Sequence, residues 1–355
     1  MSAQYLKKVK QNTLIKNNAK CLSIISDALD KVTGFGGETN WSLVPKGPTS
    51  QPRLPPVVLL VTGGYCYGPD AAQIFELYDV RTDAWASLNS AVSVVNHGAV
   101  FLDRFVYLVG GYNQGDHLST VQRFDFVTFT WENVASMNFP RCSVSVAVLD
   151  GCIYAMGGSH GYVHHRTAER YDPGTNRWTM IEPMHDRRSG AGAASLHGKV
   201  YICGGFNGVY ALYAAEFYNP ESHQWTRIAP MRCYRNCLGV AAYKGQIYAV
   251  GGCVNWISNL RSVEAYNPST NRWQLMPSMR FHRRNFGLEV LEEQLFVVGG
   301  CNRYGFLSSV ECYDQDAHMW CQVSHINRPR CSLSCCLLIG HYELVERLFP
   351  RGPHP

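Results

Sequence analysis

The chain has 355 residues, 46% of them apolar and 17% charged, which excludes a disordered or low-complexity protein and allows one large core or two modest ones. Its net charge of +5 is too small and too dispersed for a nucleic-acid binder, and no apolar run nears the roughly 20 residues that span a bilayer. The first residues lack the apolar segment of a secretory signal, so the 14 cysteines are expected as thiols in the cytoplasm. Residues 1–32 carry an apolar stripe of Leu22, Ile25, Leu29 and Val32, with Asn17 or Asn18 as the cap of a short helix. Residues 33–55, rich in Gly, Pro, Ser and Thr, predict a flexible linker.

From residue 56 a period governs the sequence. Gly-Gly recurs at residues 63, 110, 157, 204, 251 and 299, at intervals of 47, 47, 47, 47 and 48. Trp85, Trp131, Trp178, Trp225, Trp273 and Trp320 keep the same beat. Between them stands an aromatic followed by Asp or Asn, as in Tyr171-Asp172. In one copy, Ser143–Leu149 predicts a strand, Asp150-Gly151 a hairpin turn, and Cys152–Met156 a second strand. Thr167–Tyr171 and Arg177–Ile181 supply two more. Four antiparallel strands per period, repeated six times, predict an all-β, six-bladed β-propeller over residues 56–340, with the periodic Trp between blades. The first Gly-Gly is preceded by one strand rather than two, and residues 330–338 offer a strand with no Gly-Gly behind it. The two deficits are complementary, so the C-terminal strand is expected to close blade one, leaving residues 341–355 as a tail.

Paired glycines, then Tyr-Asp, then Trp, with segments such as Pro183-Met184-His185-Asp186-Arg187-Arg188, resemble the kelch repeat of the kelch-like family of cullin–RING ubiquitin-ligase adaptors. The resemblance implies a substrate-recognition propeller, a BTB domain that docks the cullin, and a helical BACK region. By that comparison residues 1–32 are the last helices of a BACK region. No BTB domain precedes them in this sequence, so a cullin is expected only through a BTB-containing partner or a full-length form.

The loops after each Gly-Gly and those leading into each innermost strand open on one face. There Arg141, Arg188, Arg235, Arg283 and Arg330 occupy equivalent positions, with Val94 in their place in one repeat. These five arginines serve either to tie loops together or to form an electropositive rim for an acidic or phosphorylated peptide. Arg187, Arg232, Arg280, Arg284, Arg303 and Arg328 add to that face. The Gly-Gly loops contribute Tyr65, Tyr112, His160, Tyr162, Phe206, Asn207, Asn255, Trp256, Arg303 and Tyr304, residue types that anchor protein interfaces. The expected partner is therefore a protein, with no nucleic acid, membrane, metal or cofactor. His164-His165 lacks a third ligand, and no zinc-protease, paired Cys-x-x-Cys or Gly-x-Ser-x-Gly motif marks an enzyme. Two alternatives stand beside this reading. One is a scaffold such as an actin binder. The other is a redox sensor built on Cys66, Cys142, Cys233, Cys253, Cys301 and Cys331, whose thiols neighbouring arginines would acidify.

Overall fold

The structure, a computed structural model, describes residues 56–66, 73–90, 92–255 and 257–350. Residues 1–32, the linker 33–55, Trp256 and residues 351–355 lie outside them, so the expectations for the BACK-like helices, the linker and Trp256 do too.

Six four-stranded antiparallel sheets form the blades of a propeller. Blade three runs Ser145–Leu149, Cys152–Met156, Ala168–Asp172 and Arg177–Ile181, within two residues of the sequence-based boundaries. The tight hairpins at Asp150-Gly151, His197-Gly198 and Lys244-Gly245 place both central residues at positive φ, the geometry that matches strand twist. The Gly-Gly pairs also sit at positive φ, 63° and 83° for Gly157 and Gly158. A Cβ on Gly157 would fall 2.2 Å from the Arg188 carbonyl, so that crossing requires glycine.

The ring closes as the complementary deficits predict. Ser334–Ile339 pairs antiparallel with Val57–Thr62, in register from Val57↔Ile339 to Thr62↔Ser334, and completes blade one with Ile74–Asp79 and Ala84–Asn89. Residues 341–350 are more than a tail. Tyr342–Leu348 forms a helix, α1, whose Leu344 and Val345, with Phe349 beyond it, join a core shared by blades one and two. A seven-residue helix is too short for periodicity to reveal, and its apolar side is paid back only by that packing.

Each Trp lies at a seam. Its indole N–H donates to a carbonyl 41–44 residues earlier, in the preceding blade, as in Trp178 to Ala135 (2.9 Å) and Trp225 to Glu182 (2.6 Å). In blade one the same bond reaches the other end of the sequence, from Trp85 to Ser324 (2.8 Å). Tyr171, Tyr218 and Tyr266 lie 5.1–5.4 Å from the Trp of their own blade.

A second device runs around the axis. Asn96 donates its N–H to the Ser332 carbonyl (3.1 Å), Ser143 to Asn96 (2.8 Å), Gly190 to Ser143 (2.9 Å), Cys237 to Gly190 (2.8 Å), Asn285 to Cys237 (3.0 Å) and Ser332 to Asn285 (2.8 Å). These six bonds close a hexagon with one corner per blade. All six residues have φ between 52° and 58°, and five of them are not glycine, so the hexagon holds backbone that is costly elsewhere. Below it the six innermost strands enclose a channel of about 470 Å³.

Candidate functional site

The five repeated arginines do not form an open rim. Arg141, Arg188, Arg235, Arg283 and Arg330 are each 0–1% exposed, which corrects their assignment as substrate-binding residues. Each guanidinium is folded into its own blade against a buried carboxylate on the third strand: Glu169, Glu216, Glu264, Glu311 and Glu76 respectively. The Arg235 guanidinium donates to Glu264 Oε1 from Nε (3.2 Å) and Nη2 (3.0 Å), to the Gly251 and Ser262 carbonyls from Nη1 (2.8 and 2.9 Å), and to Ser262 Oγ (2.9 Å). The carboxylate in turn accepts the backbone N–H of Arg232 (2.7 Å) and Cys233 (3.2 Å) in the lead-in loop. The pair thus staples the Gly-Gly strand end to the loop that follows the previous blade, and both side chains are shut off from the surface.

Blade two has neither half of this staple. Val94 stands for the arginine and Gln122 for the glutamate, and Gln122 turns to Asn133 instead (3.0 Å). Blade one has both halves in poorer alignment. Arg330 Nη2 and Glu76 Oε2 lie 3.0 Å apart, close enough for an ion pair but without hydrogen-bond geometry. The carboxyls respond accordingly. Burial raises Glu76 above the usual carboxylate range despite Arg330. Burial acts the same way on Glu216, but Arg188 and the hydrogen bonds from His185 outweigh it and leave that carboxyl lowered.

What the loop face does expose are the arginines off the staple positions and the loop aromatics. Arg187, Arg232, Arg280, Arg303 and Arg328 are exposed, while Arg284 is half-buried. Among the described residues of these loops, they outnumber the acids Asp116, Glu182 and Asp186. Tyr162 at a turn tip is fully exposed and Tyr304 is 80% exposed, with the Arg303 guanidinium 4.6 Å from its ring centroid. Tyr65 is exposed where its strand pairs with Cys331. Tyr112, His117 and His160 form a chain of edge-on ring contacts, 5.3 Å each. Phe206 packs edge-on to His164 at 5.2 Å. Asn207 and Asn255 have local roles as well. Each side-chain oxygen accepts two backbone N–H groups of its own turn, at 2.9 and 3.0 Å for Asn207 and 3.1 and 2.7 Å for Asn255. The structure adds Tyr213 and Tyr234, exposed and in contact at 4.7 Å across two loops of one seam, which the sequence reading missed. Tyr213 follows the Gly-Gly by eight residues, where no repeat signal points.

Two kelch family models match the chain. A domain described as the KLHDC2/KLHL20/DRC7 Kelch-repeats domain matches residues 56–205, and the Kelch motif matches 187–232, 234–280 and 282–325. Kelch-like protein 3 of Homo sapiens is 34% identical over 116 residues, 30% of this chain and 18% of that protein. Kelch-like protein 11 of Mus musculus is 29% identical over 145 residues, 39% of this chain and 20% of that protein. The chain belongs to the kelch-repeat family, and its repeats are similar to those of kelch-like proteins. The matched stretches span about a fifth of these relatives' lengths. The kelch-like blades here are built on the staple and the hexagon, and no helix among the described residues is long and apolar enough to cross a membrane.

The channel of this kelch-like ring carries one carboxylate, Glu289, among Gly, Ala, Val, Ser and Cys side chains. Burial pushes it up to about 7, opposed only by the Val290 N–H at 3.0 Å. The folded chain therefore keeps a proton that the unfolded chain releases between about pH 4.3 and 7, and stability falls as pH rises through that window. The full shift corresponds to about 3–4 kcal/mol, but Glu289 is only partly buried against the channel, and solvent access there reduces the effect. Glu289→Gln is expected to stabilise the protein at pH 8 by about 1–2 kcal/mol and to be neutral at pH 4. Urea unfolding at the two pH values measures this, and an equal effect at both would refute the buried-proton account.

Proposed function

We propose that this kelch-like propeller grips an acidic segment of a partner protein on its loop face, as the substrate-recognition part of a cullin–RING ubiquitin-ligase adaptor. The observation that carries the reading is the exposed set of Arg232, Arg280, Arg303 and Arg328, interleaved with Tyr65, Tyr234 and Tyr304 on one face of a rigid ring. Guanidinium groups pair with carboxylate or phosphate in bidentate fashion, and tyrosines bury area at small entropic cost. The staple supports this by fixing the loops from beneath, so a partner meets a preformed surface.

The test is quantitative affinity purification with the wild-type chain and an Arg232→Ala/Arg280→Ala/Arg303→Ala/Arg328→Ala variant whose melting temperature matches it. Four exposed charges at about 0.4 to 0.7 kcal/mol each predict binding weakened by roughly 10- to 100-fold. Partners lost from the variant should carry acidic segments, and peptides of those segments should bind with a steep dependence on salt. An identical set of captured proteins from both chains would remove the arginines from the site.

A further inference from the structure

The seams place one residue after each Gly-Gly beside one residue after each staple position. The contact is fixed by a backbone bond from the second glycine to the staple residue's carbonyl: Gly252 to Arg283 (2.9 Å) and Gly300 to Arg330 (2.8 Å), for example. The neighbours that result are Tyr65 and Val95, Tyr112 and Cys142, Ser159 and Ser189, Phe206 and Asn236, Cys253 and Arg284, and Cys301 and Cys331. Among the described residues the last of these pairs has two thiols; Cys237 and Cys253, within blade five, are a second pair of hydrogen-bonding thiols. The seam of Cys301 and Cys331 is also the one where the chain's C-terminal end enters blade one and closes the ring.

We propose that Cys301 and Cys331 form a redox-active pair, which a peroxide converts to a disulfide that locks the closing seam. Three observations converge on it. The two Sγ atoms are hydrogen-bonding neighbours, with Cys301 the acceptor when ionised. Arg284 is bridged to Cys301 through both backbone bonds (2.9 and 3.0 Å), and its guanidinium hydrogen-bonds the same sulfur. The bond from Cys331 and those from Arg284 bring the Cys301 thiol down to about 6, while Cys331, which keeps the proton, is raised. Cys142, at the equivalent position two seams on, has the Ser143 hydroxyl beside its sulfur (3.9 Å) rather than a thiol, and burial raises it. Nor do these sulfurs make a metal site, since no group of three or more His, Cys, Asp or Glu among the described residues could hold an ion.

The step balances without further reagents. The Cys301 thiolate attacks the peroxide oxygen, the O–O bond breaks, and the departing oxygen takes a proton to leave as water or an alcohol. The Cys331 sulfur then attacks the resulting sulfenic sulfur, its own proton leaving with the sulfenic oxygen as a second water. Two thiols are oxidised and one peroxide is reduced. The product ties blade six to the strand pair Tyr65–Cys66 and Arg330–Cys331, beneath the loop face.

The experiment treats the full chain with hydrogen peroxide at pH 7, blocks remaining thiols, and maps cross-linked peptides by mass spectrometry. A Cys301–Cys331 cross-link, reversible by dithiothreitol, is the expected result. Cys331→Ser should leave a Cys301 sulfenic acid that dimedone traps, and Cys301→Ser should leave Cys331 unoxidised. Arg284→Gln, checked for an unchanged melting temperature, should slow Cys301 oxidation at pH 7 by about tenfold or more and restore the rate at pH 9, where the thiol ionises unaided. A cross-link at Cys237–Cys253 instead, or both target thiols still alkylated after peroxide in the folded protein, would overturn the proposal. So would an Arg284→Gln rate equal to wild type at both pH values.

Discussion

Arg235→Ala is expected to destabilise the propeller by about 3–5 kcal/mol, the cost of leaving a buried carboxylate without its partner. Glu264 would keep the two backbone N–H groups of the lead-in loop but lose the guanidinium, and the Gly251 and Ser262 carbonyls would lose their shared donor. Blade two points to the compensating change. There Val94 and Gln122 replace both charges at once, so the fold accepts a blade in which neither is present. Arg235→Val/Glu264→Gln should therefore be less destabilised than Arg235→Val alone by about 1–2 kcal/mol, since no charge is left behind. Equilibrium urea unfolding of the three variants measures both numbers. If Arg235→Ala were as stable as wild type, the pair would be surplus to the fold and the arginine free for another task. Because binding and stability separate here, a partner-capture defect in any staple variant should scale with its loss of folded protein.

The sequence was legible wherever a single strand or turn carried the signal. Gly-Gly, Tyr-Asp and Trp each mark one place in one blade, so their beat gave the number of blades, the runs between them gave the strands, and the strand missing before the first Gly-Gly gave the closure. The arginine beat was equally regular, yet its environment was not. An arginine in a loop, four residues after a methionine, reads as surface until its partner is found 28 or 29 residues later on another strand. That partner had its own beat, Glu76, Glu169, Glu216, Glu264 and Glu311, each two residues before the tyrosine of Tyr-Asp or Tyr-Asn. The joint replacement by Val94 and Gln122 in one repeat was the sign that the two beats belong together. The dithiol was harder still. Cys301 and Cys331 meet only because a six-fold ring brings the residue after Gly-Gly in blade six beside the lead-in loop of blade one. No spacing within one repeat encodes that meeting.

Ending the chain after Pro329 should abolish cooperative folding. An open stack of repeats tolerates loss of a terminal unit, because each repeat leans only on its neighbours. This ring does not have that freedom, since the removed segment acts at four places. Ser334–Ile339 is the partner of Val57–Thr62 along six register positions, so its loss exposes a long apolar edge strand, Val-Val-Leu-Leu-Val-Thr, to other chains. Ser332 is one corner of the hexagon, and without it the bonds from Asn96 and to Asn285 both break. Arg330 holds the Gly63 and Ile74 carbonyls (3.1 Å each) beside Glu76, which would be left buried and uncompensated. The apolar surface under Leu344 and Val345 would open to water. Expected in circular dichroism is loss of the sharp melting transition, with concentration-dependent aggregation. A peptide of residues 330–350 supplied in trans should restore part of the transition, because strand pairing and the hexagon need proximity rather than covalent continuity. A wild-type transition in the chain ending at Pro329 would mean that five complete blades and a partial sixth hold themselves closed, and that the hexagon follows from the ring rather than securing it.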